Sequence, residues 1–308
     1  MGRFDDRLSH PLPAFRDLWR ILREGGFSGR GHDRAAEAAK VLVKRGPLPT
    51  VAPGQASLTW IGHATYLIRT GGLTILTDPV LSRRIPGRIR RQTPPGIPLD
   101  ELPPIDAVLL SHDHYDHLDS WTVRRLGPSV RYFVPLGTAP WFRRRGLHNV
   151  TELDWWQSAD INGTRMTFVP AHHWCRRTLW DTNDRLWGGW IVEPKGGPKL
   201  YFAGDTGYGH WFQAIGQTHS GIDTAILPIG AYAPRWFMKS VHMDPDEAVK
   251  ALADLGAKRL ATMHWGTFVL TQEPLTEPLE RIRSAWEASG KPRDDLLDLA
   301  LGESRVVP

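Results

Sequence analysis

The sequence is almost without cysteine. Cys175 stands alone, so no disulfide can form within the chain. At 308 residues a core large enough to fold without such staples is expected. A reducing, cytoplasmic setting is the expectation that fits, with Cys175 as a small, partly buried packing residue. Apolar runs are short, and none reaches the roughly 18 residues that suggest a membrane-spanning helix. The opening, Met1-Gly2-Arg3-Phe4-Asp5-Asp6, lacks the apolar stretch of a secretory signal. Asp6 stands where a myristoylation motif wants Ser or Thr. The basic residues are not interleaved with a recognisable RNA-binding module, so no specific nucleic-acid partner is expected.

What the chain does have is arginine and tryptophan. The formal net charge is +5. Its excess clusters at Arg83, Arg84, Arg88, Arg90 and Arg91, and again at Arg143, Arg144 and Arg145. Such clusters are either solvated basic faces or sites that attract phosphate or an acidic membrane surface. Fourteen tryptophans give large buried areas, each with one N–H to satisfy. Several stand beside Gly or His, as in His173-Trp174, Trp187-Gly188-Gly189-Trp190 and His264-Trp265. Most are expected in the core and a few along an apolar substrate groove.

Residues 1–50 read as an N-terminal helical extension and 51–308 as the main domain. Pro13 to Glu24 carries an apolar stripe (Phe15, Leu18, Trp19, Ile21, Leu22) between arginines. It predicts a helix, docked on the main domain or lying in a membrane interface. A loop over Gly25–Asp33, a second helix over Ala35–Lys44 and a Pro/Gly linker over Gly46–Gly54 follow. Short β-rich runs then begin: 58–61, 66–69, 73–76, 107–110, 132–134, 165–169, 190–192, 200–203, 224–227 and 259–263. Between them Asp119 is expected to cap a helix ending at Gly127, and Thr138 one ending at Gly146. Asp244-Pro245-Asp246-Glu247 opens the clearest helix, which Gly256 stops. A last helix spans about Thr276 to Ala288. Strands followed by helices, twice over, predict an α+β fold of two mixed sheets packed face to face with helices outside.

The strongest chemical signal is Ser111-His112-Asp113-His114-Tyr115-Asp116-His117-Leu118-Asp119, directly after the apolar run Ala107–Leu110. It places three histidines and three aspartates within positions 112–119. His112 and His114, two apart, face the same way in extended chain. Asp116 and His117 come from the next turn and can face a second point. Imidazole with carboxylate is the donor set of zinc and its neighbours. One cluster cannot complete two metal sites, so further ligands are expected from later strand ends. His172 and His173, Asp205, and His264 each stand just past a β-run.

The order His-x-His-x-Asp-His, then His, then Gly-Asp-Thr-Gly, then His resembles the metallo-β-lactamase superfamily over about residues 57–275. That resemblance implies an αββα sandwich with a two-metal site along one edge. It implies one ion held by His112, His114 and His173, a second by Asp116, His117 and His264, and Asp205 bridging them. Zinc is the default ion; manganese and iron are compatible with these ligands. Trp60-Ile61-Gly62-His63-Ala64-Thr65, Leu76-Thr77-Asp78-Pro79, Tyr232-Ala233-Pro234-Arg235-Trp236-Phe237-Met238, His242-Met243-Asp244-Pro245 and His264-Trp265-Gly266-Thr267-Phe268 are similar to the N-acyl phosphatidylethanolamine-hydrolysing phospholipase D subfamily. In that pattern the histidine directly before Trp174 is the ligand, which selects His173 over His172. The expected activity is a metal-dependent phosphodiesterase of phospholipase D type, or alternatively a lactonase or other carboxylic-ester hydrolase. The expected substrate is a phospholipid or anionic small molecule, with peripheral membrane contact. Asp116 and Asp205 would orient the attacking water. His242 is a candidate to stabilise charge or protonate the leaving group. His63 and Asp78 would orient ligands from behind.

Overall fold

The computed structural model describes residues 2–12, 15–24, 26–27 and 32–308. Pro13, Ala14, part of the expected Gly25–Asp33 loop and the side chains of Phe15 and Leu18 lie outside them. The chain opens with α1 (Phe15–Arg23) and α2 (Arg34–Ala39). The second helix is shorter than its expected reach to Lys44. Val43 instead pairs with Leu301 as extended chain, and the Leu301 N–H donates to the Leu42 carbonyl at 2.9 Å. Phe4 and Val41 are buried in the main core, so this leading segment lies on the sandwich.

The first half then runs β1 (Ala56–Gly62), β2 (Thr65–Thr70), β3 (Leu73–Thr77), a small hairpin β4–β5 (Arg84–Ile85 and Ile89–Arg90), β6 (Ala107–Leu109), α3 (Ser120–Leu126), β7 (Arg131–Pro135), α4 (Ala139–Arg143) and β8 (Val150–Leu153). The second half runs β9 (Ser158–Ile161), β10 (Thr164–Val169), β11 (Gly189–Pro194), β12 (Lys199–Phe202), α5 (Trp211–Thr218), β13 (Ile222–Pro228), α6 (Arg235–Met238), α7 (Pro245–Asp254), β14 (Arg259–Met263), α8 (Glu277–Ala288), β15 (Leu296–Leu297) and β16 (Ser304–Val307). Two seven-stranded mixed sheets result, ordered β16-β1-β2-β3-β6-β7-β8 and β15-β14-β13-β12-β11-β10-β9.

Period-two alternation decides what each face of the first sheet meets. Leu58, Trp60, Tyr66, Ile68, Ile75, Leu109 and Phe133 enter the core between the sheets. Their neighbours Ile61, Leu67, Leu76, Val108, Leu110, Tyr132 and Val134 form an outer core. That outer layer packs with Trp141 and Phe142 of α4 and Val123 of α3. In the second sheet α7 packs on β13, β14 and α8.

Aromatic tips tie the sheets together near their ends. The Trp190 Nε1–H donates to the Leu110 carbonyl at 2.8 Å, and the Tyr66 hydroxyl to the Thr262 carbonyl at 2.7 Å. Both bonds cross from one sheet to the other. Each satisfies a buried carbonyl that would otherwise cost roughly 1–3 kcal/mol. Cys175 is wholly buried rather than partly so, with Sγ against the Arg185 carbonyl at 2.7 Å.

Helix ends follow the expected chemistry with one exception. Asp119 accepts from Trp121 and Thr122 N–H at the start of α3, and Gly127 ends it with φ 82°. Thr138 makes no capping bond; the Ala139 N–H is taken by Glu152 of β8 at 2.6 Å. Asp244 closes a reciprocal capping box with Glu247 and also faces Arg235 and Arg281 at 3.7 and 3.5 Å. Asp244→Ala should therefore lower stability by about 1–2 kcal/mol with the fold retained. A urea midpoint that falls at unchanged slope checks this; an unchanged midpoint refutes it.

Candidate metal centre

Strand direction places the chemistry. The ladders run β1, β3 and β6 in one direction in the first sheet, and β10, β12 and β14 in one direction in the second. The segments leaving their C-terminal ends carry His63, Asp78, His112 to His117, His173, Asp205 and His264. Three of these, His63, Asp78 and His264, hold positive φ (54°, 32° and 64°), a region unfavourable for side chains with a Cβ. Backbone strain therefore collects where these side chains turn inward.

Two donor sets form. In the first, His112 Nε2 lies 2.9 Å from His114 Nδ1, and His173 Nε2 lies 3.3 Å from the same atom. In the second, His117 Nε2 and His264 Nε2 are 3.4 Å apart, and each is 3.5 Å from Asp116 Oδ2. Asp205 Oδ2 stands between the sets. It is 3.1 Å from both His117 Nε2 and His264 Nε2, 4.0 Å from His112 Nε2 and 3.9 Å from His173 Nε2. The other oxygen of Asp205 is buried without a partner.

Outer contacts aim the rings. Asp78 is fully buried and accepts from the His117 Nδ1–H at 2.6 Å, the Ser111 hydroxyl at 2.5 Å and the Ser111 N–H at 2.7 Å. The Ser111 oxygen in turn faces His112 Nδ1 at 2.9 Å, and His173 Nδ1 faces the Val241 carbonyl at 3.1 Å. These partners assign the Nδ1–H tautomer, which leaves the Nε2 lone pairs pointing inward. One proton on His114 could serve only one of its two imidazole neighbours, whereas a cation serves all three. His63 Nε2 lies 2.9 Å from Asp116 Oδ2 and orients that carboxylate.

The electrostatics separate the two sets. Burial pulls His114 down to about 3 and His173 to about 4, and it pulls His112 well below the usual range. Burial thus favours neutral imidazole at all three, the form that can donate a lone pair. Burial opposes charge on His117 and His264 too, yet Asp205 and Asp116 overcome it, raising His117 strongly and His264 to about 9. The same ion pairing holds Asp116 and Asp205 far below the ordinary carboxylate range despite burial. Two buried carboxylates amid imidazole nitrogens fit a divalent cation better than protons alone.

Not every expected residue joins the cluster in the same way. His172 points elsewhere: its Nδ1 meets the Ser9 hydroxyl at 2.6 Å, and its ring lies 5.0 Å from that of His210. His242 stands at the edge, buried, with Nδ1 unpartnered and 4.0 Å from Asp205 Oδ2. Asp78 lies behind the His117 and His112 rings, although Asp78, His112 and His117 are close enough to form a donor group, and His63 forms one with Asp116, His117 and His264. The group with Asp78 would need Nδ1 atoms already engaged with Ser111 and Asp78.

Several residues of the site carry no sequence signal. Asp113, between two histidines, turns away to a buried ion pair with Arg185 at 2.6 Å. Arg177 donates to the Asp113 and Leu118 carbonyls at 2.7 and 2.8 Å, and the Tyr115 hydroxyl donates to the Arg177 carbonyl at 2.5 Å. The 177–185 segment thereby clamps the 112–118 loop from 59 to 72 residues away in sequence. Trp174 packs edge-on against His114 at 4.8 Å.

A buried His/Asp centre at one edge of a double-sheet sandwich defines a metal-dependent hydrolase. Comparison with known proteins agrees. Residues 74–265 match the family model of the beta-lactamase superfamily domain, and the chain belongs to that superfamily. It is 41% identical to N-acyl-phosphatidylethanolamine-hydrolyzing phospholipase D 1 of Caenorhabditis elegans over 93% of this chain and 85% of that one. It is 32% identical to a metal-dependent hydrolase of Rubrobacter xylanophilus over 70% of this chain and 84% of that one. Among solved structures, an isothiocyanate hydrolase from Delia radicum gut bacteria shares the fold, with TM-score 0.68 and 20% identity over 81% of this chain and 98% of that one.

His114→Ala removes a donor that both His112 and His173 approach. The expected result is loss of bound metal by elemental analysis and of nearly all hydrolysis, with circular dichroism close to wild type. Full turnover by metal-stripped protein would refute the assignment.

Proposed function

We propose that this chain is a dinuclear phosphodiesterase of phospholipase D type, acting on a phospholipid of the N-acyl phosphatidylethanolamine class. The observation that carries the dinuclear reading is Asp205 Oδ2, set within 3.1–4.0 Å of nitrogens from both donor sets. One ion would be held by His112, His114 and His173, the other by Asp116, His117 and His264, with Asp205 shared. Zinc suits this N/O set, and manganese or iron is compatible with it. Such a pair supplies Lewis acidity and makes water acidic enough to ionise near neutral pH.

The remaining work falls to the chain's own residues. Asp116 and Asp205 accept from, and so orient, a water between the two sets. His242 has a free, buried Nδ1 facing that space. Its backbone is fixed by Arg235, whose Nη1 donates to the His242 carbonyl at 2.8 Å, and by its own N–H to Met238 at 2.8 Å. It is placed to bind a phosphoryl oxygen or to pass a proton to the departing group. The relationship to the worm phospholipase supports a lipid phosphodiester over a lactone.

Lipid access has a physical basis as well. The 174–180 segment leaves directly from His173 and ends in Leu179 and Trp180, which are 79% and 90% exposed. On α1, Trp19 and Leu22 are exposed beside arginines, and Arg20 stacks 4.0 Å over Trp236 of α6. Exposed aromatic and aliphatic side chains flanked by arginine suit an anionic interface.

Two measurements test this reading. With both ions retained, His242→Ala should slow turnover of bis-p-nitrophenyl phosphate and of N-acyl phosphatidylethanolamine by on the order of a hundred- to ten-thousand-fold. Loss of metal in that variant would make His242 a ligand, and turnover of lactones alone would replace the phosphodiesterase assignment. Leu179→Ser with Trp180→Ser should weaken binding to anionic vesicles by about tenfold or more while soluble-substrate turnover persists. Unchanged vesicle binding would remove that segment from the interface.

A further inference from the structure

The arginine cluster around residues 83–91 takes no part in the metal centre, and it is not spread evenly over the surface. The β4–β5 hairpin and its flanks border a cleft of about 710 Å³ lined by Arg45, Arg83, Arg84 and Arg91, the last with its guanidinium turned inward and Nη1 buried. Elsewhere arginines with structural roles sit beside carboxylates: Arg185 with Asp113, Arg259 with Asp223, Arg281 with Asp246. Among the described residues, none of the four cleft arginines forms an ion pair, and Asp100 is the one acidic residue in the lining. Uncompensated charge in a concave, partly apolar wall concentrates the field at its mouth.

Two of the four guanidinium groups are already held in place. Arg91 donates to the Val80 and Ser82 carbonyls and lies 5.1 Å over the Phe268 ring. Arg45 donates to the Pro95 carbonyl at 3.0 Å. Arg83 and Arg84 are exposed and form the rim. The floor is of opposite character: Leu81, Leu99 and the half-exposed face of Trp121 line it. Arg125 stacks 4.0 Å over the Trp121 ring and adds a fifth cation nearby. The wall itself is anchored to α3, because the Leu81 N–H donates to the Thr122 hydroxyl at 2.9 Å and the Ser82 N–H to Asp119 at 3.3 Å.

We propose that this cleft binds an amphiphile with a phosphate head, the head held by the Arg45, Arg83 and Arg84 guanidinium groups and the apolar tail lying over Leu81, Leu99 and Trp121. Several planar forks around one concavity match the oxygens of a phosphate monoester better than a single point charge would. A purely polar anion would leave the floor unused, and an uncharged lipid would leave the arginines unpaired. The site is separate from the metal centre and does not depend on the reaction assigned there. The ligand could arrive as a monomer from solution or as a headgroup in a bilayer, and the chemistry of the cleft is the same for both.

The test uses the metal-loaded protein and dihexanoyl phosphatidic acid below its micelle-forming concentration, followed by titration calorimetry. Arg83→Glu with Arg84→Glu reverses the rim. Arg143→Glu with Arg144→Glu makes the same change of net charge on exposed residues of the α4 end. The rim variant should lose one binding event, or bind about tenfold more weakly, with the control within roughly threefold of wild type. Bis-p-nitrophenyl phosphate turnover should stay unchanged in both variants. Glycerol phosphate, which lacks the tail, should bind about tenfold more weakly than the short-chain lipid. Loss of sedimentation with phosphatidic-acid vesicles in the rim variant would identify a bilayer source, and loss of the short-chain lipid alone a soluble one. Equal weakening in both charge-reversed proteins, an unchanged isotherm in the rim variant, or equal affinity for glycerol phosphate would overturn the proposal.

Discussion

A single carboxylate oxygen organises this molecule's chemistry. Asp205 Oδ2 lies within 3.1–4.0 Å of five ring nitrogens that come from four separate segments. At such distances in a buried site, carboxylate and imidazole charges act on one another far more strongly than in water. That coupling drives His117 and His264 up while burial drives His112, His114 and His173 down. The result is one neutral nitrogen set and one carboxylate-rich set side by side. Both sets offer donors suited to a metal cation.

Three of the crowded rings, His112, His117 and His173, are held from behind. Asp78 does this for two of them at once, since His117 bonds to it directly and His112 through Ser111. Trp190 and Tyr66 fix the strand ends on either side by bonding to the Leu110 and Thr262 carbonyls. The high tryptophan content thus has a structural use near the centre: broad rings fill the space between sheets, and their N–H groups pin the loops that carry ligands. Arg177 and Arg185 complete the restraint from the side of the 177–185 segment.

The restraint at the centre contrasts with the exposed apolar groups around it. Leu179 and Trp180 extend from the segment that begins at His173, while Trp19, Leu22 and Trp236 lie on α1 and α6. The His/Asp cluster is buried, and His112, His117 and His173 are bonded to neighbours behind them. Leu179 and Trp180 stand clear of that shell.

Much of this was legible from local pattern. Period-two alternation and Gly, Pro and Asp punctuation marked most of the long strands, and Asp119 and Asp244 marked helix starts, because these signals act within a few residues. The spacing of His112, His114, Asp116 and His117 likewise announced a metal site, since so many donors in one short loop have little other use. Short pairings with no local signature did not show: β16 forms an edge beside β1, some 245 residues away in sequence, as the Thr59–Ser304 hydroxyl contact records. Val43 left the expected helix for a partner at Leu301. His172 and His173 are adjacent and alike in sequence, yet their side chains point to different surroundings, one to Ser9 and one to His114. The choice of ligand types was written in the chain, because chemistry depends on side-chain identity. Which nitrogens face Asp205, and that Asp113 turns away to Arg185, was decided only when two sheets closed on each other and brought distant strand ends within bonding range.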